Sequence, residues 1–114
     1  MALECAPDRA ELTAAFYELI GFQRVEPPST LADRALWLQA GATQIHLLYS
    51  EAPVTPPQGH VAVIADRFAE TISALRSAGH EVEDRAAHWG SQRNFVRDPV
   101  GNLVEIMEFP PPAV

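Results

Sequence analysis

The sequence is poor in cysteine, in positive charge and in long apolar runs, and each shortage excludes something. Cys5 is the only cysteine in 114 residues. No intrachain disulfide can form, so the fold must be held by its core, and a reducing, cytoplasmic setting fits. Lys and Arg total 8 against 15 Asp and Glu, a net charge of -7. No basic run breaks that balance, which argues against a nucleic-acid partner or an anionic membrane surface. No apolar stretch approaches the roughly 18 residues of a membrane span. The start of the chain lacks the basic segment and apolar stretch of a signal peptide. What is present is ordinary for a water-soluble domain: 47% hydrophobic and 20% charged residues, in a chain long enough to bury one core.

Prolines and glycines divide the chain into two similar halves. Pro53, Pro56 and Pro57 mark residues 51–58 as a linker. Before it, residues 1–50 read as strand, helix and three strands. Met1–Ala6 is the first strand. Pro7-Asp8 opens a helix, with Asp8 and Glu11 in a capping-box pattern. Leu12, Ala15, Phe16, Leu19 and Ile20 form its apolar face, and Gly21 ends it. Phe22–Val25, Ala35–Ala40 and Thr43–Tyr49 are the strands. After the linker, residues 59–110 repeat the order. His60–Ala65 is a strand, and a helix with Phe68, Ile72, Leu75 and Ala78 ends at Gly79. Glu81–Glu83 reads as a short strand, Arg85–Gly90 as a loop and Gln92–Arg97 as a strand. The last strand lies within Leu103–Glu108. A shift of 58 superposes Asp8 on Asp66, Arg9 on Arg67, Thr13 on Thr71 and Gly21 on Gly79; near the end the shift becomes 59 and sets His46 opposite Glu105. The expected class is therefore α+β, two tandem βαβββ modules in one domain.

The stretch Arg97–Glu108 carries the sharpest signal. Asp98-Pro99 followed by Gly101-Asn102 is turn chemistry and predicts a hairpin with Gly101 at positive φ. In the strand beyond, Glu105 lies between Val104 and Ile106. A carboxylate in such a strand needs a cation, donors or an open sheet face. Strand alternation sets Glu105 on one face with Leu103 and Met107, His46 with Gln44 and Leu48, and His60 with Ala62 and Ile64. The uniformly apolar opposite faces are assigned to helix packing. Two imidazoles and a carboxylate suit a divalent transition metal with open positions, of the Zn or Fe type, able to polarise a carbonyl or hold adjacent oxygens. Each also has a plain alternative: a hydrogen-bonded strand histidine, or a Glu on an open face. His80 follows Gly79 and can complement a helix dipole. His88 sits beside Trp89 in a loop.

The twofold order, with Phe16-Tyr17-Glu18-Leu19-Ile20-Gly21-Phe22, Gln44-Ile45-His46-Leu47, Gly59-His60-Val61-Ala62-Val63 and Phe95 through Glu105, resembles the vicinal oxygen chelate superfamily. That group includes glyoxalase I, bleomycin-resistance proteins, extradiol dioxygenases and fosfomycin-resistance enzymes. The resemblance covers nearly the whole chain. It implies a curled mixed sheet around a cup, often built from modules of two chains, so a homodimer is expected. It implies His46, His60 and Glu105 as ligands of a divalent metal (Zn, Fe, Mn or Ni). It further implies a small-molecule substrate chelated through vicinal oxygens and turned over by lyase, isomerase or dioxygenase chemistry, with Glu105 a candidate base. Trp37, Gln44, Trp89, Arg93 and Phe95 are candidate substrate-binding residues of the cup or its rim. The sequence departs from the family where a first-strand His is expected: the shift of 58 carries His60 onto Ala2. The alternative is a metal-free binding protein that sequesters a small molecule, as in the bleomycin-resistance branch.

Overall fold

The computed structural model describes residues 1–112. Its strands and helices fall into two modules. In the first, β1 (Ala2–Cys5), α1 (Ala10–Leu19), β2 (Gln23–Val25), β3 (Ala35–Ala40) and β4 (Thr43–Tyr49) follow in order. In the second come β5 (Val61–Ile64), α2 (Phe68–Ser77), β6 (Val82–His88), β7 (Ser91–Arg97) and β8 (Leu103–Met107). Each module is a four-stranded mixed sheet, β1-β4-β3-β2 and β5-β8-β7-β6. The first strand pairs parallel with the last, and the remaining pairs are antiparallel. This is the tandem βαβββ, α+β architecture expected, with two separate sheets rather than one closed around a cup.

One hydrophobic core serves both sheets. Leu3, Cys5, Leu36, Leu38, Ile45 and Leu47 of the first sheet and Val61, Val63, Val96, Val104 and Ile106 of the second join the buried residues of both helices. Ile45, Leu47, Val61, Val63, Val104 and Ile106 are the apolar faces that alternation picks out in β4, β5 and β8. The other face of each sheet is free for function.

α1 departs from expectation in two ways. Asp8 does not cap it. Pro7–Arg9 forms a short 3-10 turn, and α1 starts behind Arg9 without a side-chain cap. The buried stripe is Ala10, Thr13, Ala14, Phe16 and Tyr17, while Leu12 is 55% exposed. Reading apolarity alone misses two polar groups that find partners inside. Thr13 Oγ1 donates to the Arg9 carbonyl at 2.8 Å, and Tyr17 Oη donates to Asp98 Oδ2 at 2.8 Å. The second module shows one larger difference. β6 runs through Arg85 and His88, where a short strand and a loop are expected, because Val82–Arg85 and His88 pair across to β7 with a local irregularity between Arg85 and His88. The turn is only Trp89-Gly90, and both residues have positive φ. His80 packs its ring against Phe16, with centroids 5.0 Å apart.

The β7–β8 connection is built as its sequence predicts. Gly101 has φ +107°. Asp98 Oδ1 accepts from the backbone N–H groups of Val100, Gly101 and Asn102 at 3.0, 2.9 and 2.9 Å, and Asn102 Nδ2 donates to Asp98 Oδ2 at 3.0 Å. Asp98 is 4% exposed. With Tyr17 on the same carboxylate, this turn fastens the second module to α1 of the first. Burial, then the neighbouring Asp98 charge and its hydrogen bond, push the Tyr17 pKa far up, so the phenol stays protonated.

Candidate functional site

The open face of the second sheet gathers the charged groups. His60 stands just ahead of β5, Arg93 and Phe95 lie on β7, and Glu105 lies on β8, cross-strand from Phe95. His60 Nε2 is 3.0 Å from Glu105 Oε1, and Arg93 Nε donates to Glu105 Oε2 at 2.7 Å. Both carboxylate oxygens are thus engaged, which is how a half-buried Glu is tolerated between apolar neighbours. Burial alone would raise the Glu105 pKa. The hydrogen bonds and charges of Arg93 and His60 outweigh it and hold the carboxyl below its ordinary value. The ring of Phe95 collects the remaining groups: Arg85 and Arg93 lie over it at 4.8 and 5.1 Å, and His60 packs beside it at 5.3 Å. A cleft of about 330 Å³ runs along this face, lined by Glu83, Arg85, Phe95, Arg97 and Leu103 among others.

The open face of the first sheet carries an uncharged, aromatic cluster around His46, with Glu4 further along the same face opposite Leu48. Trp37 and His46 are cross-strand partners on β3 and β4, stacked with centroids 3.8 Å apart and planes 2° apart. His46 Nε2 lies 3.0 Å from Gln44 Oε1, and Gln44 Nε2 donates to Gln39 Oε1 at 2.8 Å. Burial, then the charge of the amino terminus, lower the His46 pKa and favour the neutral ring. Ala2 is the cross-strand neighbour of His46, as Ala62 is of Glu105. The first strands are therefore offset by 60 (Ala2 to Ala62) and the last by 59 (His46 to Glu105), whereas the helices Ala10–Leu19 and Phe68–Ser77 are offset by 58; the counterpart of Ala2 is Ala62, not His60 as the shift of 58 would have it. The 3-10 turn Pro7–Arg9, without a counterpart ahead of α2, takes up the difference.

Of the three candidate ligands, the structure brings His60 and Glu105 together. His46 stands in the other sheet. Among the described residues no three His, Cys, Asp or Glu side chains converge on one point. As a test of fit to a divalent ion, one chain supplies an imidazole nitrogen and a carboxylate oxygen of the right chemistry and close enough to share an ion, with Arg93 orienting the carboxylate from behind. A third protein donor must come from outside this pair. Of the proposed rim residues, Arg93 and Phe95 sit within the charged cluster, while Trp37 and Gln44 surround His46. Trp89 lies at the β6–β7 tip and donates from Nε1 to the Phe109 carbonyl at 3.2 Å. Sequence reasoning missed Arg85 and Gln39. Arg85 would have been found had β6 been extended, since it then falls opposite Arg93. Gln39 follows from pairing across the Gly41-Ala42 turn, which sets it against Gln44.

No helix among the described residues is long and apolar enough to cross a membrane. No curated protein matches the sequence. Solved structures do resemble it. A glyoxalase family protein from Bacillus anthracis is 29% identical over 93% of this chain and 88% of its own, with a TM-score of 0.83. Lactoylglutathione lyase from Agrobacterium tumefaciens is 23% identical, covering 94% and 90%, with a TM-score of 0.66. A bleomycin-binding protein complexed with bleomycin is 21% identical, covering 96% and 95%, with a TM-score of 0.67. The sequence profile of the Glyoxalase/Bleomycin resistance protein/Dioxygenase superfamily matches residues 4–106. With that match spanning almost all of both modules, the chain belongs to this superfamily.

Proposed function

We propose that the open face around His60, Arg93, Phe95 and Glu105 binds a small oxygen-rich molecule, and that the protein acts on it as a metal-dependent enzyme. The observation that carries this reading is the 3.0 Å approach of His60 Nε2 to Glu105 Oε1 on a sheet face not used for packing. His60 and Glu105 would hold a divalent ion, Zn, Fe, Mn or Ni. His46 of a second copy is the candidate third donor, since open faces on two separate sheets can be closed into a cup by a homodimer. Bound there, such an ion supplies Lewis acidity to adjacent substrate oxygens, suited to lyase, isomerase or dioxygenase chemistry. The protein's own part is clearer. Arg93 fixes one oxygen of Glu105 and leaves the other toward His60. The lowered pKa keeps Glu105 ionised at neutral pH, as a ligand or as a base. Phe95 gives the cluster a rigid floor.

The second reading is a metal-free protein that sequesters its ligand, as the bleomycin-binding relative holds bleomycin. Arg93 favours it, because a guanidinium already neutralises Glu105. Elemental analysis of protein purified without chelator separates the two readings. The metal reading expects near-stoichiometric metal, a melting temperature that falls on chelation, and loss of metal in His60→Ala with the fold retained. Metal far below stoichiometry, with no effect of chelator on melting, counts against the metal reading and favours the sequestering one.

A further inference from the structure

His46 can be read atom by atom, because the amides beside it end on a group with a single role. The Gly41 backbone carbonyl can only accept. Gln39 Nε2 donates to it at 3.0 Å, so Gln39 presents its oxygen to Gln44. Gln44 Nε2 donates to that oxygen at 2.8 Å. The other end of the Gln44 amide, Oε1, therefore faces His46 Nε2 at 3.0 Å. An amide oxygen has no proton to give, so Nε2 carries the ring proton. A neutral imidazole has one N–H, which leaves the lone pair on Nδ1. Burial and the amino-terminal charge disfavour the imidazolium, in which both nitrogens would be protonated. The parallel stack on Trp37 fixes the plane of the ring. Both links are cross-strand pairs of the β3–β4 hairpin, Trp37 with His46 and Gln39 with Gln44, so the sheet register itself assembles the device.

We propose that Gln39 and Gln44 are positioning residues that lock His46 in the Nε2–H tautomer, so that His46 meets any ligand through the lone pair of Nδ1. The group it meets must accept that pair: a hydroxyl hydrogen of an oxygen-rich ligand, or the ion proposed above. The inference deepens the reading of the cup but does not depend on its metal, because the tautomer is a property of the free protein.

Long-range ¹H–¹⁵N correlation spectra of the ¹⁵N-labelled full chain, recorded above the titration of His46, distinguish N–H from lone-pair nitrogens. The wild type is expected to show one His46 tautomer, protonated at Nε2. Gln39→Leu removes a residue with no hydrogen bond to His46 but frees the Gln44 amide to turn over, so the Nδ1–H tautomer should appear. Gln39→Glu gives up the donation to Gly41 but still offers Gln44 nothing except an acceptor, so it should keep the wild-type tautomer, which a purely structural role would not produce. A wild-type protein protonated at Nδ1, or a Gln39→Leu spectrum unchanged at His46, overturns the proposal. Should Gln39→Leu fail to fold, Gln44→Lys carries the same test, because a side chain with donors only must turn His46 to the Nδ1–H form. Metal content, measured separately, reports on the enzyme reading without touching this one.

Discussion

Toward the helices, the first sheet turns Leu36, Leu38, Ile45 and Leu47, and the second turns Val61, Val63, Val104 and Ile106. Away from them the sheets part company. One open face carries Trp37, Gln39, Gln44 and His46, held by stacking and neutral hydrogen bonds. The other carries Arg85, Arg93, His60 and Glu105, held by charge. The buried faces must keep matching shapes to share one core, whereas the open faces are under no such constraint. A duplicated unit can therefore keep its fold in both copies while its two open faces take on different chemistry. The same contrast runs through the turns. Gly41-Ala42 joins β3 to β4 with two residues, whereas 98–102 joins β7 to β8 around a buried carboxylate.

The turns give the largest expected effects. Asp98→Ala strips an acceptor from three backbone N–H groups, Asn102 and Tyr17. Leaving such buried donors unpaired should cost about 3 kcal/mol or more, read as a fall in urea midpoint. Gly41→Ala, at φ +58° with open space around the added methyl, should cost only about 1 kcal/mol. Equal losses at the two sites would show that the second turn is no clasp. Gly101→Val forces a β-branched residue to φ +107° and should fall between them, at about 1–3 kcal/mol. A melting curve matching wild type would remove the left-handed turn.

Charge gives the next effect, and the two faces should answer acid at different pH. Both His46 and Glu105 have folded pKa values below their ordinary ones. For a depressed pKa the stabilisation is present above the unfolded value and is lost as pH falls through the folded one. His46 therefore begins to cost stability below about pH 6.5, and Glu105 only below about pH 4.3. In Arg93→Met, burial of Glu105 loses its main compensation, so its folded pKa should rise and the stability it loses on acidification should shrink, because the gap to the unfolded value closes. NMR titration of the Glu105 carboxyl reads this directly. An unmoved titration would mean that His60, not Arg93, sets the charge state of this face.

Much of this was legible in the sequence because it rests on local rules. The period-two alternation of β4, β5 and β8 sorted packing faces from open faces. The turn residues around Asp98 and Gly101 specified their own geometry. What escaped depends on partners far along the chain. Nothing local marks Tyr17 as a core residue, since its hydroxyl is satisfied by Asp98, 81 residues away. The strand expected over Glu81–Glu83 stops short of Arg85 because the charged run shows no apolar alternation, yet Asp84, Arg85 and His88 pair with β7 and lie exposed at the sheet edge. That His60 and Glu105 belong to the same open face follows from strand alternation, and the family resemblance names both as ligands. The grip of Arg93 on Glu105 does not follow, because it depends on which β7 residue lies beside β8.

The smallest effect sharpens the contrast between the open faces most directly. If the neutral face is organised by Trp37, then Trp37→Leu should cost only about 0.5–1.5 kcal/mol beyond lost area, because one aromatic contact is removed and the Gln39–Gln44 relay remains. His46 would lose its covering ring, water would reach the imidazole, and its pKa should move back up toward the ordinary value. Phe95→Leu is the matching change on the charged face. There Glu105 keeps both Arg93 and His60, so its titration should hardly move although Arg85 loses its platform. The comparison is a pair of NMR titrations: His46 shifting in the first variant and Glu105 staying fixed in the second. If Glu105 moves as far in Phe95→Leu as His46 does in Trp37→Leu, aromatic shielding governs both faces. Their division into one held by stacking and one held by charge would then be wrong.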